Sequence, residues 1–260
     1  MSRTSSVSLL AFSLVALPCA AHAEGTYRPL PYYQDWSDTA LISANNNWLA
    51  VPGVIGYRGD GLVSVDGANP SAIVAAGTGT PVHVLANQSN PNTLTSGGVA
   101  EFELSDAVVA LQGSSTADAP FLLLHLDALG WRDLSVSYLL RDLDGSMDNA
   151  VQPVALQYRI GDGGDFADLA SGFVADATQG AAAGLLTPVS VALPEVAWSV
   201  PQLQLRFITA NAAGSDEWVG IDNISVSGAA VAAVPEPSEW LLMASGLAMV
   251  VLCARRRIRA

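Results

Sequence analysis

The chain has no lysine, and its two cysteines, Cys19 and Cys253, lie in apolar segments near the two ends. The body between them has no thiol, which excludes a disulfide scaffold, a thiolate metal site and a cysteine nucleophile there. Charge is sparse: Asp, Glu, Lys and Arg make up 13% of residues, about half the usual share of roughly 25%. What charge exists is acidic, 24 Asp and Glu against 11 Arg, for a net charge of −13. Binding a phosphate backbone needs a positive patch, so nucleic acid is excluded as a partner. The body also lacks any sustained helical period. With 260 residues, half of them hydrophobic, the chain has enough apolar surface for one folded domain and too much for a disordered one.

The N-terminus reads as a secretory signal peptide, residues 1–23. Arg3 gives the positive start, Val7 to about Leu17 the apolar run, and Ala21-His22-Ala23 the small–x–small cleavage site at Ala21 and Ala23. The run is too short to span a bilayer. Cys19 raises a lipoprotein alternative, but Pro18 stands where a lipobox wants a small residue. At the other end, Val234-Pro235-Glu236-Pro237-Ser238-Glu239 precedes an apolar run from Trp240 to Ala254, followed by Arg255, Arg256, Arg257 and Arg259. Leu241–Ala254 gives about 21 Å of helix, and a start near Pro237 gives about 27 Å, enough for a core of about 30 Å if the flanks adjust. A transmembrane helix is expected over 238–254, with the Arg cluster kept cytoplasmic by the positive-inside rule. The two ends agree on one topology: body outside, short tail inside.

Pro235-Glu236-Pro237, the short apolar helix and the terminal Arg cluster together resemble the PEP-CTERM sorting signal of Gram-negative bacteria, over 235–260. The resemblance implies an exosortase as partner, transit through the inner membrane, processing near the Pro-Glu-Pro, and release to or attachment at the cell surface or its exopolysaccharide matrix. An ordinary single-pass anchor is the alternative; a GPI signal would lack the Arg block.

Residues 24–228 form the exported body, and 229–234 a small-residue linker. All but two of the Asp and Glu fall in the body, against six Arg: Arg28, Arg58, Arg132, Arg141, Arg159 and Arg206. The balance favours solubility and makes a divalent cation a plausible partner. Apolar residues alternate in Ala100-Phe102-Leu104, Leu134-Val136-Tyr138-Leu140, Val154-Leu156-Tyr158-Ile160, Val189-Val191-Leu193 and Leu203-Leu205-Phe207. Each predicts a half-buried strand. Phe121–Leu126, apolar almost throughout, predicts a central strand. In Val219-Gly-Ile221 and then Ile224 and Val226, the apolar step changes from two to three, which predicts a β-bulge at Asp222-Asn223. The expected fold is all-β: an antiparallel, jelly-roll-like β-sandwich of about nine or ten strands.

Asp142-Leu-Asp-Gly-Ser-Met-Asp148, Val154–Arg159, Gly164-Asp-Phe166 and Thr209–Ile224 resemble, in this order, the non-catalytic β-sandwich found before extracellular bacterial endonuclease/phosphatase domains or alone in PEP-CTERM proteins. The match lies mainly in 130–228. No catalytic domain follows here, so nuclease activity does not carry over. The last strand is also similar, more weakly, to that of MAM-like jelly rolls.

Asp142, Asp144 and Asp148 are the candidate metal ligands, for structural Ca²⁺, because carboxylates at alternating positions around Gly145 can converge oxygens. Pro153 stands where an EF-hand needs its final Glu, so the loop is either a different cation site or an acidic turn. Asp222 suits a structural role. His125 is expected in the core and His83 at an outward strand position; zinc needs more ligands than these two. No Gly-x-Ser-x-Gly elbow is present. Trp48, beside Asn45-Asn46-Asn47, and Trp218 are the candidate sugar-stacking residues. The main reading is a non-enzymatic exported surface or matrix protein. The alternative is a carbohydrate-binding module for extracellular polysaccharide; a hydrolase using paired carboxylates is the third.

Overall fold

In a computed structural model, residues 25–77, 79–145, 150–180, 183–232 and 237–258 are described. The period-two segments form strands: β1 (Arg28–Pro29), β2 (Tyr32–Gln34), β3 (Val54–Tyr57), β4 (Leu85–Gln88), β5 (Gly98–Phe102), β6 (Val108–Gln112), β7 (Phe121–Asp127), β8 (Trp131–Asp142), β9 (Val154–Ile160), β10 (Ala167–Asp168), β11 (Leu186–Ala192), β12 (Leu203–Thr209) and β13 (Val219–Ala230). The linker expected from residue 229 therefore starts after Ala230, because Ala229 and Ala230 still pair with Arg132 and Trp131.

The strands build two sheets. One runs β1–β7–β12–β9–β10, with β3 also on β7; the other runs β11–β8–β13–β6–β5–β4, with β2 also on β13. The protein is an all-β sandwich. Its sheets are mixed rather than wholly antiparallel, since β1 joins β7 and β4 joins β5 in parallel. Both parallel pairs involve short strands joined by long excursions, which free the chain from the hairpin geometry that enforces antiparallel pairing. β7, the expected central strand, is flanked by β12 on one edge and by β3 and β1 in succession on the other.

The inner faces meet in one core that includes Phe102, Leu111, Leu124, Leu140, Phe207, Trp218 and Ile221. Phe102 lies edge-on to Trp218, ring centroids 5.3 Å apart, and Tyr138 edge-on to Phe207 at 4.9 Å. The outer face of the first sheet is covered too. Ile73, Phe121, Leu123, Phe166 and Ile208 form a second apolar cluster, with Leu62 and Val63 packed against it. β9 and β12 are consequently buried on both faces for most of their length, where alternation had predicted one wet face; β5, in the second sheet, is buried throughout as well. β8 and β11 keep the expected alternation.

One buried residue shows how the covered outer face is satisfied. Arg206, fully buried, donates to Gln157 Oε1 (Nε, 2.8 Å), to the Ala75 carbonyl (2.7 Å) and to the Ile73 carbonyl. Its guanidinium lies 3.9 Å from the Phe166 ring centroid. Burial lowers its pKa to about 9. The bulge occurs where the apolar step changes: the β13–β8 register shifts between Asp222 and Ser225. Asn223 takes the left-handed conformation there (φ +50°), and Asp222 accepts from Arg141 at 2.8 Å and from the Asn223 amide at 2.7 Å.

The chain's one α-helix among the described residues, α1 (Pro237–Ile258), follows the sandwich. It is 22 residues long, four longer at its C-terminal end than the span expected from the apolar run. Its described side chains, 242–250 with 254 and 255, are all exposed. Among the described residues, no helix is long and apolar enough to cross a membrane.

Candidate functional site

Two hollows lined by described residues differ in electrostatic character. The first is a cleft of about 460 Å³ formed by the segment 46–55 with Gly25, Thr26, Arg28 and Val82. Its wall is built from the Asn run. Asn45 Oδ1 accepts from the Ala86 amide (2.9 Å), Asn46 Oδ1 from the Val84 amide (3.1 Å), and Asn47 Oδ1 from the Leu49 amide (3.1 Å). Asn46 sits at φ +60°, a conformation Asn tolerates better than most residues. With the carbonyl oxygens fastened to backbone, the amide orientation is fixed. Among the described residues, the Nδ2 groups of these two cleft-lining residues, Asn46 and Asn47, have no hydrogen-bond acceptor. Leu49, 86% exposed, stands beside them. Trp48, expected as a sugar-stacking residue, is instead buried in the core (6% exposed): its indole donates to the His83 carbonyl (3.1 Å) and lies edge-on to Trp36.

The second hollow, about 430 Å³, is acidic and includes Asp66, Asp144 and Asp216 in its lining, with Asn92, Gln112 and Asn211. Asp142, Glu217 and Asp144 are buried near it. Burial raises Asp142 to about 6, and the Asp144 and Asp176 charges add to the rise, with the Asp144 amide offsetting part of it. Burial raises Glu217 to about 7, with Asp142, Asp144 and Asp176 contributing. Among the described residues, Glu217 Oε2 has no hydrogen-bond partner. Burial likewise lifts Asp216 to about 6.

The candidate residues fare differently. Asp142 and Asp144 are buried as a pair, while Asp148 lies outside the described residues. Among the described residues, no group of three or more His, Cys, Asp and Glu is arranged to hold a metal ion. Asp142 ends β8 and is drawn inward by the strand's own alternation, so the loop does not present it as a turn ligand. Trp218 is fully buried, and its indole donates to the Leu94 carbonyl at 2.7 Å. It is a core residue and cannot stack on a sugar, a correction to the sequence reading. His125 is buried as expected, with Nδ1 3.2 Å from the Gly53 carbonyl. His83 lies outside the strands and is half-buried; its Nδ1 accepts from the Val99 amide at 3.1 Å, and burial lowers its pKa. Neither histidine bonds to a Ser or a carboxylate. Ala21, Ala23, Pro235, Glu236 and Arg259 lie outside the described residues; Pro237, Arg255, Arg256 and Arg257 fall within α1.

Sequence reasoning passed over Glu217, Asp176 and Arg28. Glu217 was hidden because it precedes the last strand in an unremarkable Asp216-Glu217-Trp218 run. Only the fold brings it beside Asp142, across the β8–β13 pair.

No protein-family model matches the chain, and no curated protein matches it. Several solved structures are similar in fold. One is CBM28, a carbohydrate-binding module specific for non-crystalline cellulose, at 12% identity and TM-score 0.37, covering 57% of this chain and 99% of that chain. Another is CBM27-1 of Caldicellulosiruptor saccharolyticus, solved with mannohexaose, at 15% identity and TM-score 0.37, covering 54% and 88%. A third is the K1 cleaved adhesin domain of Lys-gingipain from Porphyromonas gingivalis, at 14% identity and TM-score 0.34, covering 53% and 81%.

Proposed function

We propose that the protein is a non-enzymatic, exported binding module for an extracellular polysaccharide. The observation that carries the reading is the cleft at 46–52. Sugars offer apolar C–H faces and a ring of hydroxyl acceptors and donors. The cleft matches both, with Leu49, Val51 and Pro52 on its wall and the free Nδ2 donors of Asn46 and Asn47 beside them. A largely pre-formed hollow with a few fixed polar groups is what small-ligand recognition requires. Binding of the full chain in detergent to a panel of neutral and acidic polysaccharides tests the reading. Asn47→Ala and Leu49→Ala should each weaken binding about tenfold or less while the fold melts normally. No binding to any polysaccharide removes the proposal.

The delivery of this module is a separate part of the proposal. Leu242, Met243, Leu247, Met249 and Val250 are each at least 66% exposed on α1, an apolar surface that water does not favour. A bilayer is the occupant we propose for it: the apolar run Trp240–Ala254 gives about 23 Å of helix, short of a hydrocarbon core of about 30 Å, so the flanks and the terminal arginines must adjust to the interface. In this reading the tail is a sorting signal for an exosortase, which cuts near Pro235-Glu236-Pro237 and leaves the body at the surface or in its matrix. Mass spectrometry of the exported protein checks it. Loss of residues beyond the Pro-Glu-Pro supports processing, and an intact Arg block on every molecule rejects it.

A further inference from the structure

We infer that the Arg28 cleft takes a carboxylate-bearing sugar, so that the polymer bound is an acidic, uronate-type polysaccharide. The inference rests on the polysaccharide reading above and narrows it to a ligand class.

Five of the body's six arginines are already engaged. Arg58 pairs with Asp60, Arg132 with Asp133 at 3.8 Å, and Arg141 with Asp222 at 2.8 Å. Arg159 donates to Gln204 and the Gly164 carbonyl, and Arg206 to the groups named earlier. Arg28 has neither an ion pair nor a hydrogen bond among the described residues, and it is exposed on the cleft wall. This happens in a body where carboxylates outnumber arginines more than threefold. Yet among the described residues lining this cleft there is no Asp or Glu. A surface this acidic leaves a cation unpaired only where its acids have been kept away, and such a cation is available to an incoming anion.

The arginine is also held in place. Gly53 is at φ +73°, and a Cβ there would meet Arg28 Cγ at 2.5 Å and the His125 carbonyl at 3.1 Å. The Arg28 stem therefore packs over a position that has no side chain, which fixes where the side chain leaves the cleft wall. Arginine's planar fork suits a carboxylate bidentately. The Asn46 and Asn47 amides supply further donors to the neighbouring hydroxyls. The acidic body repels a polyanion at long range, but that field fades over about 8 Å at physiological ionic strength. Among the described residues that line the cleft, the charge that a sugar meets is Arg28.

The test uses the full chain in detergent with EDTA present, titrated with polygalacturonate, its methyl-esterified counterpart and a neutral glucan. The acid form should bind about tenfold more tightly than the ester. Arg28→Gln should abolish that difference, and Arg28→Lys should restore only part of it, since Lys cannot reproduce the bidentate fork. Unaltered thermal melting of both variants keeps the comparison fair. Equal binding of acid and ester, or an acid preference that survives Arg28→Gln, overturns the inference and leaves polysaccharide binding standing. Acid binding that disappears with EDTA assigns it to a bridging cation and also overturns it. Failure of every polymer to bind removes the polysaccharide reading together with the inference.

Discussion

At the residue scale the protein keeps several ionisable side chains where water does not reach. Among the described residues Arg206 makes no direct ion pair and relies on carbonyls, Gln157 and the Phe166 ring. Arg206→Ala would orphan those acceptors beneath the 70–77 segment. The expected loss is about 3 kcal/mol of unfolding free energy, measured by urea denaturation. Asp142, Asp216 and Glu217 make the opposite kind of demand. Their folded pKa values of about 6, 6 and 7 lie above the unfolded values near 4. The folded state therefore holds these protons more tightly, and unfolding stability falls as pH rises through that interval. Melting temperature should be higher at about pH 5 than at about pH 8. Glu217→Gln removes one titrating group, so the variant should melt with a shallower pH slope. A slope unchanged by the substitution would assign the pH response to other carboxyls.

At the element scale the bulge in β13 decides the second sheet. One edge of β13 pairs with β6 through Val219–Ile221 and with β2 through Ile224–Val226. The extra residue between them re-aims the strand from one neighbour to the next. Asn223→Val forces a β-branched side chain into the left-handed region, and a loss of about 1–3 kcal/mol is expected by denaturant melting. Asn223→Gly should be tolerated. The bulge was legible because Ile221 and Ile224 break a step of two, and β8, β9 and β12 were legible because their alternation is regular. The second burial layer was not. Phe166, Ile73 and Leu62 come from loops without periodicity, so nothing local announces that they roof Arg206 and Gln157. For the same reason Trp218 looked like a candidate contact: its neighbours Asp216 and Glu217 are polar, and only the pairing of β13 turns the indole inward. The cleft was half visible, since Asn45–Asn47 beside Trp48 drew notice, whereas Arg28 became part of it only through the docking of β1 on β7.

At the scale of the whole molecule, β13 is the strand on which the second sheet depends. It lies between β8 on one side and β6 and β2 on the other, and it is the last strand in the chain. A chain ending at residue 218 should therefore stay unfolded, with rapid proteolysis and no cooperative melt. One ending at residue 232 should melt cooperatively, and a stable fold in the shorter chain would show that the sheet closes without its last member. In the proposed export route this order has a use. A polypeptide threaded through a secretion channel must remain unknotted and extended until it has passed. Here the piece that locks the globule emerges only just ahead of α1, so the cargo becomes rigid as its tether reaches the lipid.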